Sequence, residues 1–168
     1  MTDHEEHRRR SARSVGVAIV VISDSRDPRT DESGRAARSL LEGAGHRIRE
    51  QSFMGNDAGK ISNAIRSLAN KPGVDVILTL GGTGISKRDV TIEALSPLME
   101  KSLPGFGELF RKMSSEQIGT AAVMSRSTAG VVSGKVVICL PGSPKAVELA
   151  VSRIIIPEVG HMVFEASR

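Results

Sequence analysis

Three stretches of the chain are predominantly apolar, and the segments between them alternate on a helical period. Val15-Gly16-Val17-Ala18-Ile19-Val20-Val21-Ile22, Val74-Asp75-Val76-Ile77-Leu78-Thr79-Leu80 and Val136-Val137-Ile138-Cys139-Leu140 are rich in β-branched residues. Such runs predict strands buried on both faces. After the first comes a polar loop, residues 23–31, then a helix with Ala37, Leu40 and Leu41 on one side that stops near Gly43 and Gly45. Residues 46–53 read as a less regular strand. Asp57 precedes a second helix, whose Ile61, Ala64, Ile65 and Leu68 recur at helical spacing until Lys71-Pro72-Gly73 closes it. Short helical segments are expected at 90–100 and 106–118, and an irregular or hairpin segment at 120–132 with a turn at Ser133-Gly134. A final helix is capped by Ser143 and has Pro144 at its first position. It carries Ala146, Val147, Leu149, Ala150, Ile154 and Ile155, and Pro157 either kinks or restarts it. Strands alternating with helices predict an α/β fold: one three-layer α/β/α domain on a mostly parallel sheet, Rossmann-like in class.

Composition narrows the function. The 168 residues suit one domain over 15–168, behind a flexible basic tail at 1–14. Only four Phe and no Trp or Tyr speak against modules that stack bases on aromatic platforms. No run approaches the roughly 18 apolar residues of a membrane span, and no apolar stretch follows the first arginines as in a secretory signal. A single cysteine, Cys139, excludes an internal disulfide or a cysteine-cluster zinc site. A cytoplasmic protein with no nucleic-acid or membrane partner is the expectation. The net charge of +4 is spread without a basic stripe and reads as a mildly basic surface.

Ligands of open α/β sheets bind beyond the carboxyl ends of the strands. Three predicted strands end there in Ser23-Asp24-Ser25, Gly81-Gly82-Thr83-Gly84 and Pro141-Gly142-Ser143-Pro144. Glycine admits close backbone approach, and free N–H groups at a helix start attract phosphate, so a phosphate-bearing ligand is expected. The lysine and hydroxyl of a P-loop do not follow Gly84, and the Rossmann dinucleotide fingerprint is absent. Asp57 and Asp89 each precede a helix and read first as N-caps; the functional alternative is a pair of carboxylates holding Mg²⁺. His46 and His161 read as structural or surface residues, and Cys139 as an inert buried thiol.

Taken together, four ordered segments are far more specific. Leu80-Gly81-Gly82-Thr83-Gly84-Ile85-Ser86-Lys87-Arg88-Asp89-Val90-Thr91, Pro104-Gly105-Phe106-Gly107-Glu108, Ser125-Arg126 and Leu140-Pro141-Gly142-Ser143-Pro144-Lys145-Ala146 follow one another. This pattern resembles the MoaB/Mog family of molybdenum cofactor biosynthesis, related to the gephyrin G domain, from Val15 to about Phe164. The resemblance implies a molybdopterin-binding homotrimer or homohexamer. It also implies Mg²⁺- and ATP-dependent adenylylation of molybdopterin, with hand-over of the product to a molybdenum-inserting enzyme. By motif, Asp57 and Asp89 would be the catalytic, Mg²⁺-holding acids. Gly81, Gly82, Thr83, Gly84, Pro141, Gly142 and Ser143 would cradle phosphate, Ser23, Asp24 and Ser125 would line the pocket, and Lys87 or Arg88 would add counter-charge. The proline-aspartate step common in the family is replaced here by Gly55-Asn56-Asp57. Alternatives are a non-catalytic pterin carrier and a scaffold or assembly module.

Overall fold

In the computed structural model, which describes residues 14–168, the first apolar run forms β1 (Gly16–Ile22), buried at every position. Successive side chains of a strand point to opposite faces. Val17, Ile19 and Val21 therefore enter one core, and Ala18, Val20 and Ile22 the other. The same split recurs in β3 (Val76–Leu80) and β6 (Lys135–Leu140). Helix α1 (Glu32–Gly43) covers the first face with Ala37 and Leu41, and α2 (Ala58–Ala69) covers the second with Ile61, Ile65 and Leu68. Apolar runs on strands buried from both sides thus become the middle of three layers.

The six-stranded sheet has the order β2-β1-β3-β6-β5-β4, in which β2 (Arg47–Met54), β1, β3 and β6 run parallel. β5 (Thr128–Val132) pairs antiparallel with β6, and the two-residue β4 (Lys101–Ser102) pairs antiparallel with β5. The irregularity expected in β2 is a register shift beside Val17 and Ala18 that leaves Arg49 unpaired with β1. The hairpin between β5 and β6 turns on Ser133 and Gly134, whose φ values of 49° and 72° suit a type I′ turn.

Three boundaries differ from the sequence expectation, and the alternative left open at Pro157 is decided. The strand expected from Val74 begins at Val76, and beside its start the Asp75 carboxylate accepts the Gly16 N–H at 2.7 Å. The helical segment expected over 90–100 is α3 (Thr91–Leu95) with a 3₁₀ turn, followed by β4, which is too short to show a periodicity. Helix α4 (Pro104–Ile118) starts on its proline, and Gly119–Met124 is a 3₁₀ segment before β5. Lastly, α5 (Pro144–Ala150) passes through a π-helical turn (Val151–Ile155) into α6 (Ile156–Ala166), so the helix restarts around Pro157, which has no N–H to donate. The expected tail falls outside the described residues except for Ser14, whose hydroxyl donates to Gly45 O.

His46 is buried and accepts the Val15 N–H on Nδ1, and burial lowers its pKa. Cys139 is fully buried, and burial pushes its thiol up to about 11. A thiol raised that far stays protonated at mildly alkaline pH, and the thiolate is the nucleophile. Iodoacetamide is therefore expected to leave the native protein unlabelled and to label it fully in urea. Rapid native labelling would contradict the burial of Cys139.

Candidate functional site

Because β2, β1, β3 and β6 are parallel, their carboxyl ends share one rim, and the loops after them carry every predicted site residue except Ser125. The loop after β3 is shaped by close approaches. Gly81 has φ +110°, and a Cβ there would lie 2.1 Å from Ile22 O on β1. Its N–H donates to Leu140 O of β6 at 2.9 Å, so the loop leaves the sheet wedged between both neighbouring strands. Gly82 has φ +67°, and its Cβ would meet Thr91 Oγ1 at 2.2 Å and Asn56 Oδ1 at 2.7 Å. Thr91, buried at the start of α3, donates from its hydroxyl to Gly81 O at 2.8 Å and from its N–H to Gly82 O at 3.0 Å.

The next carbonyls are taken up too. Arg126 donates from Nε to Thr83 O at 3.2 Å and from Nη2 to Gly84 O, and its guanidinium also pairs with Glu93 of α3. In the turn after β6, Gly142 O accepts from Ser33 Oγ at 2.6 Å and from Arg26 Nη1. By contrast, among the described residues no hydrogen bond takes up the N–H of Gly82, Thr83, Gly84, Ile85, Gly142 or Ser143. Two turns thus present unused donors, the arrangement that binds anions. Ser143 also caps α5, accepting the Ala146 N–H, as expected from the sequence.

These turns open onto a cleft of about 1030 Å³. Gly82, Thr83, Gly84, Asp89, Ser125, Pro141, Gly142 and Ser143 line it, eight of the residues singled out in the sequence. Gly81 lies behind them, packed on Gly142. Ser23, Asp24 and Asp57 do not line the cleft; they sit on the same rim toward β1 and β2. The Ser23 hydroxyl accepts the N–H groups of Ser25 and Arg26 and shapes its own turn. Asp24 accepts the Asn56 N–H at 2.8 Å, which with the Asn56 side chain and the Arg88 guanidinium 3.7 Å away holds its carboxyl below the usual range. Asn56 Oδ1, buried without a hydrogen-bond partner, lies against Gly82, so the β2–α2 loop reaches across the end of β1 to the glycine loop.

The two aspartates differ. Asp57 is exposed and caps α2, accepting the Lys60 N–H at 2.9 Å. Asp89 is half-buried and does not cap α3, whose N-cap is Val90. Its Oδ2 instead accepts from the Ser86 N–H at 3.1 Å and hydroxyl at 2.7 Å, and packs against Gly84, where a Cβ would come within 2.6 Å. Its Oδ1 has no hydrogen-bond partner among the described residues. Among the described residues, no group of three or more His, Cys, Asp or Glu is placed to hold a metal ion.

Sequence reasoning missed the cleft's far walls. Phe110, Ser114, Gln117 and Ile118 of α4 form one wall, and Lys145, Glu148, Leu149, Ser152 and Arg153 the other. Positions 110, 114 and 117, and positions 145, 149 and 152, step by three or four residues, the spacing of one helix face, which is the signal that would have pointed to them. A second cavity, about 580 Å³ between β4 and α6, contains no candidate site residue.

Residues 18–161 match the family described as "Probable molybdopterin binding domain". The chain is 46% identical over 164 residues to molybdenum cofactor biosynthesis protein B of Bacillus cereus, covering 97% of each chain. It superposes with a TM-score of 0.88 on a crystal structure of a molybdenum cofactor biosynthesis protein B, at 47% identity, covering 91% of this chain and 96% of that one. With the tungsten cofactor synthesizing protein MoaB of Pyrococcus furiosus the TM-score is 0.84 at 34% identity, over 94% of this chain and 100% of that one. In sequence and fold, the chain belongs to the MoaB/Mog family of molybdenum cofactor biosynthesis proteins.

Proposed function

We propose that this domain binds molybdopterin and adenylylates it with Mg-ATP. The terminal phosphate of the pterin attacks the α-phosphorus of ATP, and the bond to the departing pyrophosphate breaks. The observation that carries the reading is one cleft in which two turns offer free N–H groups beside a carboxylate with an unused oxygen. Such a transfer needs charge neutralisation and alignment more than a protein nucleophile. The amides of residues 82–85 and 142–143 would hold and orient phosphate oxygens. Lys145 and Arg153 on the cleft wall add positive charge, and the apolar side chains of Phe110 and Leu149 keep water from part of it.

Mg²⁺ keeps several waters and uses one or two carboxylates with substrate phosphates, so it does not require a three-acid cluster. Asp89 would supply one carboxylate through its unused oxygen, whereas Asp57, which caps α2 outside the cleft lining, is carried as the second acid by the family motif alone. Bound there, the ion would neutralise charge on the transferring phosphates.

Incubation with molybdopterin, ATP and Mg²⁺ is expected to release pyrophosphate and form the adenylylated pterin. No turnover with pterin binding intact would favour the carrier reading. Asp57 separates two roles experimentally. Asp57→Ser keeps a capping oxygen and removes the carboxylate, so turnover is expected to fall with stability held within a few tenths of a kcal/mol, whereas Asp57→Ala should also lose about 1 kcal/mol of stability. Equal turnover in parent and Asp57→Ser would leave Asp57 as a cap only.

The assembly expected is a homotrimer or homohexamer, supported by the exposed apolar side chains of Ile118, Val123 and Met124. The setting expected is cytoplasmic, with hand-over to a molybdenum-inserting enzyme; no helix of the described residues is long and apolar enough to cross a membrane.

A further inference from the structure

We infer that Arg126 is a positioning residue that shapes the glycine loop from behind, turning its amides into the cleft while itself touching no substrate. The inference deepens the phosphate-cradle reading above and rests on it. In a trans peptide the C=O and the following N–H point in opposite directions. Arg126 draws the carbonyls of Thr83 and Gly84 to one side, so the N–H groups of Gly84 and Ile85 are turned to the other. The remaining faces of the guanidinium are taken by both carboxylate oxygens of Glu93.

A planar fork with five donors can bridge two carbonyls and a carboxylate at once, which a lysine cannot. Arg126 is about one-third exposed and does not line the cleft. Its charge is matched by Glu93, with Asp89 also acting on it, so its contribution at the cleft is shape more than field. The sequence hint was the Ser125-Arg126 step, where only the serine drew a site assignment.

Glu93 supplies a test whose sign distinguishes positioning from simple attraction. Removing a negative charge near an anion site should strengthen anion binding if Arg126 acts by its field. If Arg126 acts by holding the loop, Glu93→Ala frees the guanidinium to swing and should weaken binding. Arg126→Gln, Arg126→Lys and Glu93→Ala would be compared with the parent by titration with inorganic pyrophosphate and by ¹⁵N order parameters of Gly84 and Ile85 in the free protein.

The expected result is affinity about tenfold weaker in Arg126→Gln and several-fold weaker in Glu93→Ala, with Arg126→Lys rescuing only part of the loss. Order parameters at the two amides should fall from about 0.85 toward 0.6 while those of β3 hold. Unchanged order parameters in both variants overturn the inference whether or not the parent binds pyrophosphate, as does tighter binding in Glu93→Ala. A parent that binds no pyrophosphate, with the order parameters falling as expected, overturns the phosphate reading and leaves the loop clamp standing.

Discussion

Asp89→Asn is expected to slow adenylylation of molybdopterin by about a hundredfold or more, with pterin affinity and melting temperature close to the parent's. The asparagine Oδ1 can still accept from the Ser86 N–H and hydroxyl, so the loop from Gly84 to Asp89 keeps its shape. What disappears is the negative charge, and with it the carboxylate oxygen that has no hydrogen-bond partner among the described residues. Partly exposed positions tolerate isosteric changes to within about 0.5 kcal/mol, so stability should not explain the loss. Pyrophosphate release measured beside thermal unfolding decides the case. Parental turnover in Asp89→Asn would remove Asp89 from the chemistry.

The largest expected effect on stability is that of Gly81→Ala. A methyl group at this position would stand 2.1 Å from Ile22 O, a backbone atom of the buried central strand, at a φ of +110°. The dihedral alone costs about 1–3 kcal/mol, and relieving the overlap requires β1 and β3 to separate where their strand ends meet the site. A loss of at least about 3 kcal/mol, or about 10 °C in melting temperature for a domain of this size, is expected. Gly43→Ala is the internal comparison: it ends α1 with nothing within 4 Å of the added carbon, so stability should hold or rise slightly. Equal melting temperatures for the two variants would contradict the packing described at Gly81.

The layered fold was legible in the sequence because runs such as residues 15–22 and 136–140 are apolar on both faces of a strand, and few architectures bury such strands. β4 was not legible: two exposed residues cannot show an alternation, and their pairing with β5 is fixed by tertiary context. The phosphate-loop candidates were legible as glycines at strand ends. The roles of neighbouring polar residues were not, because capping and catalysis use the same residue types. Asp57 and Asp89 looked alike in sequence. Only the structure separates an N-cap bonded to Lys60 from a carboxylate bonded to Ser86 at the cleft. Ser23 and Asp24 were placed in the pocket by their motif, yet the turn and the Asn56 amide occupy them. The walls supplied by α4, α5 and the π-helical turn went unread because their side chains mix polar and apolar types, so the helix-face spacing in each does not by itself say that the two faces oppose one another.

The most direct measurement is a crystal structure of the protein with molybdopterin and a non-hydrolysable ATP analogue bound in the presence of Mg²⁺. Phosphate oxygens within hydrogen-bond distance of the Gly84 and Ser143 amides, with Asp89 Oδ1 facing them, are the expected result. Ligand density confined to the cavity between β4 and α6, or phosphates turned away from both glycine turns, would contradict it.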